Sequence, residues 1–290
     1  MLKILVALAF TLLLNASEIR VQVLGSGGPE LGERASSGYI VWIDGKSRLL
    51  IDCGGGTFLR FTQSGARFEE LDAILLTHNH IDHTADLAAF MKAGFFTDRS
   101  EAIAIYGAEG NSVFPPTDLF VKRLLGQDGA YAYMSDMLSP QSSSFQIIPH
   151  VLPQISKKTL MKGYAIESIG VHHGIVPALA FRIDAGDKSI VFTGDTNNKE
   201  NTLQQFARNA DILIADFAIP QGAGDVAKEL HMQPSDIASL AAASRVKHLV
   251  LSHLMKRSES KLQESMDIIK KTYTGKITVA EDLLHIETDQ

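Results

Sequence analysis

The stretch Leu75-Leu76-Thr77-His78-Asn79-His80-Ile81-Asp82-His83-Thr84 places four candidate metal ligands within six residues. An apolar run, residues 73–76, leads into it, and a helix-like run, residues 85–91, follows it. This pattern predicts a strand that ends in a loop, with the ligands at the carboxyl end of the strand. Four ligands so close together can hardly reach one tetrahedral ion, but they can serve two neighbouring ions. The first two histidines would bind one ion, and the aspartate and the third histidine would bind the other.

Length and composition describe a chain that can bury a large core. It has 290 residues, of which 45% are hydrophobic, so it can form one large domain or two smaller ones. The net charge of -6 provides no general attraction to nucleic acid or to anionic membranes. It does not exclude a local basic patch. Cys53 is the single cysteine, which excludes an intrachain disulfide and predicts a reduced, inert thiol.

The start of the chain has the layout of a secretory signal peptide. A positive charge is followed by an apolar run over residues 4–14 and by small residues up to Ser17. The apolar run is too short to span a bilayer comfortably. We therefore predict a signal peptide over residues 1–17, cleaved near Ala16 or Ser17, and a folded domain over residues 18–290. The mature protein would be periplasmic or secreted, without a stable membrane span, and an uncleaved anchor is the alternative.

Strand-like and helix-like segments alternate along the rest of the chain. The order is strands, helix, strand, helix, and then strands, helix, strand, helix, strand. It predicts two similar α/β halves that meet near residue 165, with two sheets facing each other and helices outside. Residues 108–160 depart from this order, because they combine Pro115-Pro116 with a serine-rich run. We predict a lid or insertion there, and a surface excursion with its own small core is the alternative.

Further polar residues lie where an apolar run ends and a loop begins. They are Asp52, His172-His173, Asp195 in Gly194-Asp195-Thr196, and His253. Strand ends at one edge of a sheet can converge on one site. A third histidine would complete the ion held by His78 and His80, and His253 would join Asp82 and His83 on the other ion. Asp195 would be shared between the ions, which holds them about 3.5–4 Å apart.

Taken together, the motifs resemble those of the metallo-β-lactamase fold superfamily. T-H-x-H-x-D-H, an upstream Asp, a middle His, a G-D-T and a late S-H occur in that order, over about residues 19–290. The resemblance implies an α/β fold, a four-layer αββα sandwich with two mixed β-sheets and a dinuclear metal site at their edge. It implies two divalent metal ions, usually Zn²⁺, with Mn²⁺ or Fe²⁺ as alternatives. It also implies that Asp82 is a metal-binding member of the catalytic set, and that Asp52 orients the site through hydrogen bonds without binding metal.

The surroundings of the middle histidine favour one branch of this superfamily. His172-His173-Gly174 lacks the G-H-T-x-G pattern that is usual in true β-lactamases, lactonases and glyoxalase II-like enzymes. It resembles the branch of ribonuclease Z, bacterial arylsulfatases and cyclic-nucleotide phosphodiesterases. We assign His173 as the metal ligand, with His172 as the alternative.

His231 is a second mark of this branch, because it lies at the start of a helix, 22 residues before His253. The resemblance implies that it protonates the leaving group, and a histidine beside a dinuclear centre is suited to that role. Asp216 follows an apolar run and would support His231 by hydrogen bonding. An ordinary histidine at a helix start is the alternative interpretation.

These features predict an exported, dinuclear metal-dependent hydrolase of a small phosphodiester or sulfate ester, with metal-bound hydroxide as the nucleophile. Ribonuclease Z enzymes carry a long tRNA-gripping arm, for which there is no room here because His173 and Asp195 are only 22 residues apart. We therefore expect a small-molecule ester as the partner and no nucleic acid; a homodimer is compatible with the sequence. A carboxylic-ester, lactone or β-lactam hydrolase is the first alternative, and a non-catalytic metal- or partner-binding protein is the second.

Overall fold

The computed structural model describes residues 18–288, so the predicted signal peptide lies outside the described residues. These described residues fold into two seven-stranded sheets. In spatial order, the first sheet contains β14 (His285–Glu287), β1 (Ile19–Gly25), β2 (Gly38–Ile43), β3 (Lys46–Ile51), β4 (Ala73–Leu75), β5 (Ile103–Ala108) and β6 (Ile147–Leu152). The second contains β13 (Lys276–Val279), β12 (His248–Ser252), β11 (Ile212–Asp216), β10 (Lys188–Phe192), β9 (Val176–Ala185), β8 (Tyr164–His173) and β7 (Lys157–Met161).

The two sheets have the same order of antiparallel and parallel strand pairs. In the first, the pairs from β14 to β3 are antiparallel and the pairs from β3 to β6 are parallel. In the second, the pairs from β7 to β10 are antiparallel and the pairs from β10 to β13 are parallel. The predicted αββα sandwich with two mixed sheets is confirmed, and each half of the chain supplies most of one sheet.

Helices fill the connections between the strands. The α-helices are α1 (Thr57–Gln63), α2 (Ile81–Thr84), α3 (Leu87–Gly94), α4 (Thr117–Leu125), α5 (Leu203–Phe206), α6 (Asp225–Leu230), α7 (Pro234–Ala243), α8 (Lys256–Glu259) and α9 (Leu262–Lys270). Two 3₁₀ segments span Phe68–Glu70 and Ala132–Leu138. Among residues 18–288, no helix combines the length and the apolar character that crossing a membrane requires.

Strands β2 and β4 of the first sheet are buried on both faces, which explains their apolar sequences. In β3, Leu49 and Ile51 belong to the core between the sheets, whereas Leu50 faces a second core beneath the helices. This alternation follows from the two-residue period of a strand. Phe90 and Met91 on α3 complete the second core, so this helix is fixed against the sheet by its apolar side.

Residues 108–160, predicted as one lid or insertion, are divided between several layers. Strand β6 continues the first sheet beside β5, and β7 forms the edge of the second sheet beside β8. The part between β5 and β6 contains α4 and the 3₁₀ segment Ala132–Leu138. Its side chains Val121, Met134 and Phe145 are buried in the second core. This segment therefore packs as part of the outer layer, and a role as a lid stays a prediction.

The parallel strands bring several strand ends to one edge of the sandwich. Strand β10 pairs in parallel with β11, and β11 pairs with β12 so that Asp216 lies opposite Ser252. Strand β4 ends at Leu75 in the same way beside the end of β3. The loops that leave these strands therefore start close together, as the predicted convergence of polar residues requires.

Candidate metal centre

Three histidines form the first cluster at this edge. Nε2 of His78 lies 3.0 Å from Nδ1 of His80, and Nε2 of His173 lies 3.3 Å from the same nitrogen. Burial lowers the pKa of all three imidazoles, which favours their neutral form, the form that can bind a metal ion. Three neutral ring nitrogens that converge on one point offer lone pairs to a cation.

Asp82, His83 and His253 form the second cluster. Nε2 of His253 lies 3.1 Å from Oδ2 of Asp82, and Nε2 of His83 lies 3.5 Å from the same oxygen. Burial works against protonation of His253, but Asp195 and Asp82 outweigh it and raise its pKa to about 9. A carboxylate and two imidazoles that face each other in a buried position form a set suited to a divalent ion.

Asp195 lies between the two clusters. Its Oδ1 is 3.4 Å from Nε2 of His83, and its Oδ2 is 3.3 Å from Nε2 of His253 and 3.8 Å from Nε2 of His173. Burial opposes its ionisation, yet His253 and His83 hold its pKa well below the usual range. One carboxylate in contact with ligands of both clusters is the arrangement that a shared ligand needs.

A tight backbone turn places Asp195. Gly194 has φ of +58°, and a Cβ at this position would lie 2.7 Å from the carbonyl oxygen of Leu179. A glycine is required there because any side chain would meet a neighbouring backbone. Asp52 and His253 also adopt left-handed backbone conformations, each with φ of 57°. Such conformations in residues other than glycine persist only where the surroundings hold them firmly, as they do at functional sites.

Asp52 contacts one of the candidate ligands, and the orienting role that the resemblance implies for it stays a prediction. Its Oδ1 accepts a hydrogen bond from the backbone N–H of Thr77 at 2.8 Å. Its Oδ2 accepts from the Thr77 hydroxyl at 2.9 Å and from Nδ1 of His83 at 2.7 Å. The bond to Nδ1 fixes the tautomer of His83 and leaves its Nε2 directed at the metal cluster.

The two neighbouring histidines of β8, His172 and His173, have different hydrogen-bond partners. His173 donates from Nδ1 to the carbonyl of Leu230 at 2.9 Å, and its Nε2 belongs to the first cluster. The side chain of His172 points elsewhere, with Nε2 2.9 Å from a carboxylate oxygen of Glu229. The geometry therefore supports His173 as the ligand and gives His172 no place in the centre.

His231 lies beside the ligands and is held by Asp216. Its Nδ1 donates to Oδ2 of Asp216 at 2.7 Å, and its ring centroid lies 5.4 Å from that of His173. Burial alone would lower its pKa, but the charge of Asp216 and this hydrogen bond raise it. The predicted support of His231 by Asp216 is thus present as a short contact.

Asp216 has a second contact that the sequence did not predict. Its Oδ1 lies 3.5 Å from Nδ1 of His253, so one carboxylate faces both His231 and a metal ligand. The backbone N–H groups of Thr196 and Ala218 donate to the same carboxylate, each at 3.2 Å. Thr77 was also missed as a site residue, although its hydroxyl lies 3.1 Å from Nδ1 of His78. Its position directly before the first histidine was the available signal.

The residues present fit two divalent metal ions. Nε2 of His83 is buried without a hydrogen-bond partner, although it faces the carboxylates of Asp82 and Asp195. An unpaired buried ring nitrogen next to two carboxylates is expensive unless a cation lies between them. Mixed imidazole and carboxylate donors suit Zn²⁺, and they also suit Mn²⁺ or Fe²⁺. The predicted ligands that the structure brings together are His78, His80, Asp82, His83, His173, Asp195 and His253.

Comparison with known proteins identifies the family. Residues 47–254 match the model of the β-lactamase superfamily domain. A ribonuclease Z of Methanosarcina mazei is 27% identical over 93% of this chain and 98% of its own length. A ribonuclease Z of Archaeoglobus fulgidus is 25% identical over 92% of this chain and 97% of its own length.

Solved structures share the fold. The metallo-β-lactamase fold protein YhfI from Bacillus subtilis has a TM-score of 0.74 at 22% identity, covering 93% of this chain and 99% of that protein. The short form of human tRNase Z has a TM-score of 0.70 at 21% identity, covering 93% of this chain and 100% of that protein. The fold family implies divalent metal ions, which agrees with the two clusters described above.

These relatives correct the predicted substrate class. Proteins named ribonuclease Z match this chain over almost all of both sequences, which contradicts a small phosphodiester or sulfate ester as substrate and the absence of a nucleic acid partner. The segment between His173 and Asp195 is indeed a plain hairpin of β9 and β10. The prediction relied on that one segment, whereas the candidate metal ligands lie on other loops at the strand ends. A net charge of -6 likewise averages the whole chain and excludes no local contact with RNA.

The predicted periplasmic or secreted location is wrong for the same reason. Relatives named ribonuclease Z match this chain over almost all of both sequences, which conflicts with an exported enzyme. The predicted signal peptide falls on residues 1–17, outside the described part of the chain. The alternatives of a lactone, carboxylic-ester or β-lactam hydrolase, of a sulfatase, or of a non-catalytic protein gain no support from these relatives.

Proposed function

The chain belongs to the family of β-lactamase superfamily domains, and from this premise we propose that it is a divalent-metal-dependent ribonuclease, which hydrolyses a phosphodiester bond in RNA. Curated relatives named ribonuclease Z support this proposal, because the match covers almost the full length of both chains. Among RNA molecules, tRNA is the first to test, since the human structural neighbour is named tRNase Z.

The pair of His231 and Asp216 is the observation that carries the proposal. Hydrolysis of a phosphodiester leaves an alkoxide, which departs far more easily when a nearby group protonates it. His231 lies within reach of the shared ligand Asp195 and of His173, and its raised pKa keeps it protonated at higher pH. The site therefore contains an acid suited to a poor leaving group in addition to the metal ligands.

The protein side chains have separate tasks in this reaction. Bound divalent ions would lower the pKa of a coordinated water and offset charge on the phosphoryl oxygens. Asp216 accepts a hydrogen bond from Nδ1–H of His231, which leaves Nε2–H to carry the proton that would pass to the departing oxygen. The carboxylate also stabilises the positive charge of the imidazolium before transfer. Asp52 holds His83 in the tautomer that its neighbours need.

The decisive experiment measures RNA cleavage by purified protein with defined metal content. A tRNA transcript with unpaired extensions at both ends is incubated with protein that has been stripped by EDTA and then reloaded with Zn²⁺ or Mn²⁺. We expect cleavage only after reloading. His231→Ala should keep its metal content and lose about 10²- to 10⁴-fold in kcat. His285→Ala, at an exposed position on β14, is the matched control and should cleave at the wild-type rate.

Two outcomes would contradict the proposal. If the reloaded protein hydrolyses p-nitrophenyl sulfate or nitrocefin but leaves RNA intact, a ribonuclease function is excluded. If His231→Ala cleaves RNA as fast as the wild type, the pair of His231 and Asp216 has no part in proton transfer and the mechanism fails.

A further inference from the structure

A group of exposed aromatic rings surrounds one lysine on the helical face of the first sheet. Phe96 is 76% exposed, Tyr133 69%, Phe95 44% and Tyr131 43%. Nζ of Lys92 lies 4.5 Å from the ring centroid of Phe95, 5.0 Å from that of Phe96 and 5.5 Å from that of Tyr133. We call these five residues the aromatic platform. Exposed rings of this size are costly to leave in water and mark interaction surfaces when they cluster.

We propose that the aromatic platform binds unpaired nucleotides of the RNA substrate, with bases stacked on its rings and a backbone phosphate near Lys92. This inference rests on the proposed function and adds a second contact surface for the same substrate. Stacking on aromatic rings combined with a nearby cation is how proteins hold single-stranded nucleic acid without reading its sequence.

The composition of the platform favours nucleic acid over a membrane or an apolar protein surface. Between Leu87 and Arg99, and again between Gly126 and Pro140, the large apolar side chains that are strongly exposed are all aromatic. Exposed aliphatic side chains of similar size, such as Leu31 and Leu160, lie on other elements. A surface for lipid or for a hydrophobic partner would combine rings with aliphatic side chains, whereas bases require flat rings.

The charge at the centre of the platform agrees with this ligand. Within residues 18–288, no carboxylate lies within ion-pair distance of Lys92, so its positive charge is not neutralised by the protein. The Phe95 and Phe96 rings meet edge to face, with centroids 5.4 Å apart, and therefore present faces in two directions. A phosphodiester can approach the ammonium group while the neighbouring bases lie against the rings.

The position of the platform relative to the candidate metal centre favours a polymeric substrate. Helix α3 begins at Leu87, four residues after the ligand His83, and ends at Gly94 immediately before Phe95. At 1.5 Å per residue, its last residue lies roughly 10 Å along the helix from its first. A substrate of several nucleotides can reach both the platform and the metal centre, whereas a small diester occupies only the centre.

The test compares RNA binding with cleavage of a small diester. Fluorescein-labelled single-stranded RNA is titrated with full-length protein in EDTA, which prevents cleavage, and Kd is measured by fluorescence anisotropy. We expect Phe96→Ala and Tyr133→Ala each to raise Kd about tenfold. Tyr133→Phe keeps the ring and should bind like the wild type. Lys92→Gln should reduce the slope of log K against log salt by about 0.7.

Control variants and a second substrate separate the platform from the metal centre. Leu160→Ala removes an equally exposed aliphatic side chain on β7 and should leave Kd unchanged. Hydrolysis of bis-p-nitrophenyl phosphate by metal-loaded protein should be similar in the platform variants and the wild type, because this diester is too small to reach the rings.

Three results would contradict the platform proposal, and they can be distinguished from one another. If the wild type binds and cleaves RNA but Phe96→Ala and Tyr133→Ala bind it equally well, the platform proposal is overturned and the ribonuclease function stands. If the wild type neither binds nor cleaves RNA, both proposals fail. If Phe96→Ala changes only the binding to vesicles of phosphatidylcholine and phosphatidylserine, the platform is a membrane surface and the RNA assignment is wrong.

Discussion

Two buried carboxylates in this site, Asp216 and Asp52, each contact two neighbouring groups and can fix their orientation. Asp216 faces His231 with one oxygen and His253 with the other, at 2.7 and 3.5 Å. A displacement of this carboxylate would therefore move the proposed acid and a metal ligand together. Asp52 has the same kind of role for the other half of the site, because it fixes Thr77 and His83 at once. Both carboxylates are buried, so they serve orientation more than direct contact with substrate.

Replacing Asp52 by Asn tests this role. The amide group must place its NH₂ towards either Thr77 or Nδ1 of His83, both of which are donors, so one buried hydrogen bond is lost. We expect a loss of about 1–3 kcal/mol in the free energy of unfolding and roughly 10- to 100-fold weaker metal binding. Urea unfolding and metal titration measure the two effects.

The control for this substitution is Asp44→Asn in the exposed turn after β2. Asp44 accepts a single hydrogen bond, from the backbone of Glu18, and its left-handed backbone suits Asn equally well. Its unfolding free energy should change by less than about 0.5 kcal/mol. If Asp52→Asn behaves like this control, Asp52 does not organise the centre.

At the scale of elements, strand ends were the most informative part of the sequence. Asp195 and His253 each follow an apolar run, and the pattern placed them correctly at the edge of a parallel sheet. The choice between His172 and His173 stayed open because neighbouring residues of a strand point to opposite faces, and register decides which face is inside. The pairing of β14 with β1 and the contact of Asp216 with His253 join distant parts of the chain, and no local pattern predicts them.

The turn between β10 and Asp195 provides a test at the same scale. Gly194→Ala adds a methyl group 2.7 Å from the carbonyl oxygen of Leu179, on a backbone that already has positive φ. We expect a loss of about 2–4 kcal/mol in unfolding free energy and reduced metal content, because Asp195 must shift. Thermal unfolding and metal analysis of the purified variant measure both.

Gly163→Ala is the control that separates the cost of positive φ from the cost of the steric contact with Leu179. Gly163 also has positive φ, at +90°, but a Cβ there meets no atom within 4 Å. It should lose only about 1 kcal/mol and keep its metal. Equal losses in the two variants would show that the contact with Leu179 is unimportant.

At the scale of the whole molecule, the candidate metal centre lies at one edge of the sandwich, beside the large apolar core between the sheets. Several buried carboxylates and imidazoles face each other there, and ions that bind only the folded state stabilise it by mass action. Chelation with EDTA should lower Tm by about 5–15 °C, which corresponds to roughly 3–4 kcal/mol for metal at 100 to 1,000 times Kd. Scanning calorimetry before and after addition of Zn²⁺ measures this. A Tm that is indifferent to both additions would contradict metal binding at this site.

The candidate metal ligands are divided between the two halves of the chain, so a complete centre requires both halves to be folded together. The first half of the chain supplies His78, His80, Asp82 and His83, whereas the second half supplies His173, Asp195 and His253. Neither half contains enough donors to complete both ion sites. We therefore expect a truncated or half-folded chain to be inactive. Fragments produced by a break between β6 and β7 should become active only after they associate.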